Sequence, residues 1–276
     1  MNPILNITTF EFRLKSQIIF WQNEILSQPL DPGIMNAKLL KISVLFVLLL
    51  ITSCDSDNYE TDYIPSAPVT NQLKTVSYLA LGDSYTIGQS VCETCRFPEQ
   101  LKKNLANSNP NTTYGLKIIA QTGWTTTSLI SAINAQSLTP NYDLVTLLIG
   151  VNNQYQNRAF SVYEKEFPEL VNKAIALAKG DKSNLIVVSI PDYAYTPTGQ
   201  QLGNPQKIST EIDNYNAFAQ QYCSANKIEF VSITDITRKG LQNPLLVASD
   251  GLHPSELAYS YFVERILPKA RIATQN

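Results

Sequence analysis

Histidine occurs once in this chain of 276 residues, as His253 in the stretch ASDGLHPSE. Asp250 stands before it and Pro254 directly after it. An imidazole can move protons near neutral pH, and it does so best when a partner fixes its tautomer. The Asp250 carboxylate can be that partner, because Gly251 lets the chain fold back toward the ring. A paired histidine then needs a group that uses its base. Ser84, in LGDSYTIG, offers a hydroxyl. Gly123, in QTGWTT, can offer an unobstructed backbone N–H, and Asn152, in IGVNN, a side-chain NH₂. Each residue alone also has a plain structural role: helix N-cap, turn glycine, loop cap or surface histidine.

Elements must hold these residues together. From about residue 73 the chain alternates strand and helix signatures. VSYLALG (76–82), LKIIAQ (116–121), DLVTLLIG (143–150), NLIVVSIP (184–191) and IEFVSI (228–233) are short apolar runs. Such runs are expected of parallel strands covered on both faces. Helical stripes lie between them. Phe167, Leu170, Val171, Ala174, Ile175 and Ala178 recur at helical spacing, with Gly180 as a stop. Ile208, Ile212, Tyr215, Ala219 and Tyr222 form a second stripe. A final helix is expected to start at Pro254 and run to about Ile266, with Pro268 near its end. Five strands alternating with helices predict one doubly wound, flavodoxin-like domain, a three-layer α/β/α sandwich around a five-stranded parallel sheet. It is expected to span residues 75–276. Function in such sheets gathers at the carboxyl ends of strands. Ser84, Gly123 and Asn152 follow the first three strands, and Asp250 and His253 precede the last helix. Ser84 does not sit in a G-x-S-x-G elbow, because Thr86 takes the final glycine position. No glycine-rich cradle for a phosphate or flavin follows the first strand.

The blocks GDSY, TGWT, GVNN and DGLHP, in this order, resemble those of the SGNH (GDSL-type) hydrolase family. The resemblance covers about residues 75–268. It implies a carboxylic ester hydrolase that works through an acyl-enzyme. Ser84 would be the nucleophile, His253 the base and then the acid, and Asp250 the group that orients the ring. The oxyanion hole would be the N–H groups of Ser84 and Gly123 with the Asn152 side chain. No cofactor is implied and no metal, which a single histidine is poorly suited to anchor. The substrates implied are small-molecule, glycan or lipid acyl esters. An acyltransferase on the same scaffold and a non-catalytic glycan-binding protein are the alternatives, and the second has no reason to keep all five residues. Two departures stand out. The family commonly has Asp after the block-three Asn, and Asn153 here is expected to loosen that loop. The CETC insertion is expected to reshape one wall of the cleft. Tyr85 and Trp124 are candidate aromatic walls, or else packing residues.

A net charge of −2 gives no basic footprint for nucleic acid. MNAKLLKISVLFVLLLITSC, from Met35 to Cys54, has a positive start and an apolar run too short to span a bilayer. Its ending resembles a bacterial lipobox, which implies lipid attachment at Cys54 and anchoring in the cell envelope. Residues 1–34 are then a leader or over-extended start, 35–53 a signal peptide, and 54–74 a tether. Cys92 and Cys95 have no second pair to complete a zinc site, so they form a short-loop disulfide or remain free thiols. Cys223 falls in a helical stripe and is expected in the core.

Overall fold

A computed structural model describes residues 73–275. The leader, the signal peptide and Cys54 lie outside the described residues. Five strands form one parallel sheet: β1 (Lys74–Gly82), β2 (Thr112–Ala120), β3 (Leu144–Leu148), β4 (Leu185–Val188) and β5 (Glu229–Val231). Their order is β2-β1-β3-β4-β5. Leu79, Leu81, Leu144, Val145 and Leu147 are fully buried. Burial of each such side chain contributes about 1.5–3 kcal/mol, which is why these runs show no alternation. β2 is different. It is an edge strand, with Thr113, Gly115 and Lys117 exposed along it, and a lysine on an open edge discourages pairing with another chain.

Nine α-helices follow in chain order among the described residues: α1 (Ser84–Ile87), α2 (Phe97–Ser108), α3 (Thr126–Asn134), α4 (Val151–Tyr155), α5 (Phe160–Leu177), α6 (Pro197–Gln201), α7 (Pro205–Asn226), α8 (Thr234–Thr237) and α9 (Glu256–Gln275). One layer packs α2 against α9, and the other packs α5 against α3 and α7. The expected second stripe lies on α7, where Ile208, Ile212, Tyr215 and Ala219 are buried and Cys223 joins them. Burial pushes the Cys223 thiol up to about 12.

Two helix ends depart from expectation. Pro254 does not begin the last helix. It forms an antiparallel bridge with Val247, and the helix starts at Glu256. The helix then continues through Pro268 to Gln275, because Ala270, Ala273 and Thr274 bury against the domain. Lys74 Nζ also donates to the Thr274 carbonyl at 3.0 Å. The hydrogen bond lost at proline falls at exposed Glu264, where water can replace it. α5 likewise begins seven residues before Phe167 and carries Pro168 internally.

Register sets the stage for the site. Gly82 is aligned with Ala120 on one side and Leu148 on the other. The loops that start at Asp83, Gln121 and Ile149 therefore leave the sheet at one level.

Candidate active site

The first loop turns at once into α1. Its N-cap is Asp83, whose Oδ1 accepts the Tyr85 N–H at 3.0 Å. The capping role thus belongs to Asp83, and the Ser84 hydroxyl is not consumed by it. Among the described residues, neither the Ser84 N–H nor its hydroxyl has a hydrogen-bond partner. Asp83 itself is fully buried, and its Oδ2 takes no hydrogen bond from any of the described residues. Desolvation dominates there and raises the carboxyl to about 7, against the lowering pull of the Tyr85 N–H.

The histidine loop is held more tightly. Gly251 sits at φ 69, a left-handed conformation suited to glycine. The turn lets Asp250 Oδ1 accept the N–H groups of Leu252 at 2.9 Å and His253 at 3.0 Å. Oδ2 then lies 2.6 Å from His253 Nδ1, which directs Nε2 away from the carboxylate. Ala248 N–H donates to the His253 carbonyl at 2.7 Å, and Ser255 N–H to Leu246 at 3.0 Å. Ser90 Oγ also donates to Asp250 Oδ2, at 2.6 Å. Burial alone would raise the Asp250 carboxyl, but the donors from Ser90, His253 and Leu252 hold it well below the usual carboxylate range.

The second and third loops face the same cleft. Gly123 adopts φ 85, and Trp124 N–H closes the turn onto Gln121 at 3.2 Å, leaving the Gly123 N–H outside it. Asn152 Nδ2 donates to the Trp124 carbonyl at 2.9 Å. An amide nitrogen carries two hydrogens, so one remains for the cleft. Asn153 does not loosen its loop. It is fully buried, accepts the Thr126 N–H at 2.9 Å and donates to Thr126 Oγ1 at 2.7 Å. Thr126 Oγ1 in turn donates to Glu166. A hydroxyl that gives its proton to Glu166 must accept from its other neighbour, and an amide can supply that hydrogen where a carboxylate cannot.

Ser84, Gly123, Asn152 and His253 all line one cleft of about 240 Å³. Ser84 and His253 are 4% and 9% exposed, and no hydrogen bond joins the hydroxyl to the ring. Tyr85 is a cleft wall, with its ring 5.7 Å from the imidazole. Trp124 is not; it packs on the core instead. Cys92 and Cys95 are joined in a disulfide, but the CETC loop does not form a cleft wall. Its neighbour Ser90 reaches the site through Asp250.

Sequence reasoning missed Tyr155 and Tyr193, which close the cleft. Tyr155 follows Asn152 by three residues, one helical turn, and that spacing could have found it. Tyr193 had no signal; its hydroxyl donates to buried Gln154 at 2.7 Å, and Gln154 donates to Glu211 at 2.8 Å. Both tyrosines also border a groove of about 360 Å³. That groove shares Gln154, Asn157 and Glu211 with a further one of about 590 Å³.

The fold is similar to that of solved structures. A lipase/acylhydrolase from Enterococcus faecalis has a TM-score of 0.56 at 17% identity, covering 71% of this chain and 95% of that one. A member of the lipolytic G-D-S-L family from Veillonella parvula has 0.54 at 16%, covering 70% and 97%. Axe2, an acetylxylan esterase from Geobacillus stearothermophilus, has 0.51 at 16%, covering 72% and 95%. No curated protein sequence matches the chain. The match that decides kinship runs over residues 80–261, from the end of β1 into α9, and so takes in every loop that lines the cleft: the chain belongs to the GDSL-like lipase/acylhydrolase family of ester hydrolases.

Proposed function

We propose that the chain hydrolyses carboxylic esters through a Ser84–His253–Asp250 triad and an acyl-enzyme. The observation that carries this reading is the Asp250–His253 pair, at 2.6 Å, on the cleft that Ser84 also lines. Ser84 Oγ attacks the ester carbonyl carbon, and its proton passes to His253 Nε2. Catalytic hydrogen bonds of this kind often tighten only when substrate is present. The carbonyl oxygen, now negative, takes hydrogen bonds from the N–H groups of Ser84 and Gly123 and from the free Asn152 hydrogen. The tetrahedral species collapses, the C–O bond breaks, and Nε2 returns the proton to the leaving alcohol. Water then gives a proton to Nε2 and attacks the acyl carbon, and Ser84 recovers its hydrogen. Asp250 stays ionised and stabilises the transient imidazolium.

The groove beside the cleft indicates the substrate class. Tyr193 lines it and also stands beside His253, where the leaving alcohol collects its proton. Its walls bring together side-chain amides, such as Asn157 and Asn204, and the half-exposed ring of Tyr155. Amides pair with hydroxyl groups, and a ring face suits the apolar face of a sugar. The cleft itself is below the usual size of a ligand pocket. A short acyl group on a polyhydroxylated alcohol fits both features, and the name of one fold neighbour, an acetylxylan esterase, agrees.

Ser84→Ala tests the reaction. Hydrolysis of p-nitrophenyl acetate falls by about a thousandfold or more, and labelling by a fluorophosphonate is lost. Near wild-type turnover in the variant sinks the triad. In the same assay, acetylated oligosaccharides are cleaved faster than long-chain lysophospholipids; the reverse order sinks the substrate class alone.

A further inference from the structure

The cluster around Asp250 holds one more hydrogen-bonding side chain than a Ser-His-Asp triad uses. We infer that Ser90, two residues before a turn closed by a disulfide, is a positioning residue for the catalytic pair, acting through Asp250. The inference rests on the triad reading above. Ser90 Oγ donates to Asp250 Oδ2 at 2.6 Å, and the same oxygen faces His253 Nδ1 at 2.6 Å. Both lone-pair directions of that oxygen are therefore occupied, and the carboxylate cannot rotate without breaking a short bond.

Ser90 holds this position in an uncommon conformation. Its φ is 67, in the left-handed region that serine seldom adopts. Such strain persists only when surrounding structure fixes it. The fixing groups are present. Cys92 and Cys95 close the next turn covalently, and Cys95 N–H donates to the Cys92 carbonyl at 2.9 Å. Gln100 Nε2 donates to the Cys95 carbonyl at 2.5 Å and to the Glu256 carbonyl at 3.1 Å. Glu256 opens α9, three residues past His253. The loop and the histidine turn are thus fastened to each other at both ends.

The chemistry that follows is electrostatic. A hydroxyl hydrogen on Oδ2 takes up part of the carboxylate's charge, so the carboxylate stabilises the imidazolium less than a bare one would. Ser90 therefore tempers the pull of Asp250 on the ring's charged form while it fixes the carboxylate in place. The other titratable groups around the ring are Tyr85, Tyr193 and Asp192, and the Asp192 carboxylate is paired with Arg238 at 2.9 Å and accepts from Ser209 at 2.6 Å. Burial raises both phenols, Tyr193 to about 12, so neither ionises in the working range.

Ser90→Gly removes the hydroxyl and suits the left-handed backbone, which separates the hydrogen bond from the strain. In the full-length protein kcat for p-nitrophenyl acetate falls about fivefold with KM unchanged. The acid limb of the kcat/KM profile moves to higher pH. A merely structural role would not move that limb. The double variant Cys92→Ser, Cys95→Ser reproduces part of the loss, and adds nothing in the Ser90→Gly background. Ser90→Gly with wild-type kcat and an unmoved acid limb overturns the inference, as does a cysteine effect of equal size in both backgrounds. If Ser84→Ala is dead while Ser90→Gly is unaffected, only this inference falls. If Ser84→Ala is active, the reading beneath it falls.

Discussion

Two aspartates flank the cleft, and the protein treats them in opposite ways. Asp250 is partly exposed, yet its oxygens accept from Ser90, Leu252 and both nitrogens of His253 that can reach it. Asp83 is wholly buried and accepts one backbone N–H, with Oδ2 left bare. The first carboxyl is held well below its usual range and the second is raised to about 7. Burial disfavours charge in both; the number of donors decides the outcome. The same side chain is thus a fixed charge on the histidine side, whereas on the serine side burial favours its neutral form.

The hardest way to break this contrast is to remove the charge at Asp250. Asn at 250 keeps an oxygen for the Leu252 and His253 N–H groups, so the turn survives. Its NH₂ would face a ring N–H, however, and drive the imidazole to the wrong tautomer. Asp250→Asn should lower kcat by about a thousandfold or more while thermal melting stays near wild type. A loss of less than about tenfold would show that Asp250 does not orient the ring.

The contrast was only half visible in the sequence. Strands β1, β3 and β4 were legible because both their faces are buried, and polar residues at their ends stood out against the apolar runs. Ser84 and Asn152 could be picked out for that reason, His253 by its uniqueness with Asp250 three residues before it, and Gly123 by its place in the ordered blocks GDSY, TGWT, GVNN and DGLHP. Ser90 could not, since it is one serine in a polar stretch and meets Asp250 160 positions away. The donor count that separates Asp83 from Asp250 is likewise a tertiary quantity. Helices α1, α4, α6 and α8 have four or five residues each, too few to show a period. Pro268 misled because the packing of Ala270 and Ala273 outweighs the local signal.

A smaller effect sharpens the other half. The unfolded Asp83 carboxyl ionises near the ordinary aspartate value of 3.8, whereas the folded one holds its proton to about 7. Between these values the folded state binds more protons, so the stability from this group is present below the lower value and is lost as pH rises through the upper one. The full span is worth about 4 kcal/mol. Asp83→Asn keeps an oxygen for the Tyr85 N–H and cannot ionise. Its melting temperature should gain on wild type steadily from pH 4 to pH 8. Parallel melting curves across that range would mean that Asp83 is solvated or paired in solution.

The smallest effect asks what keeps Asp83 so poorly served. The Tyr259 hydroxyl is also buried without a partner among the described residues; burial raises it, and the charge of Asp83 adds to that. A phenol that donated to Asp83 would lower that carboxyl and erase the contrast with Asp250. Removing an unpartnered buried hydroxyl is close to neutral, whereas removing one half of a buried pair costs about 1–3 kcal/mol. Tyr259→Phe should therefore change stability at pH 5 by about 0.5 kcal/mol or less, with the Phe97 and Phe262 ring contacts kept. A loss of about 2 kcal/mol in denaturant titration would reveal a hydrogen bond to Asp83, and the serine side would then be charged like the histidine side.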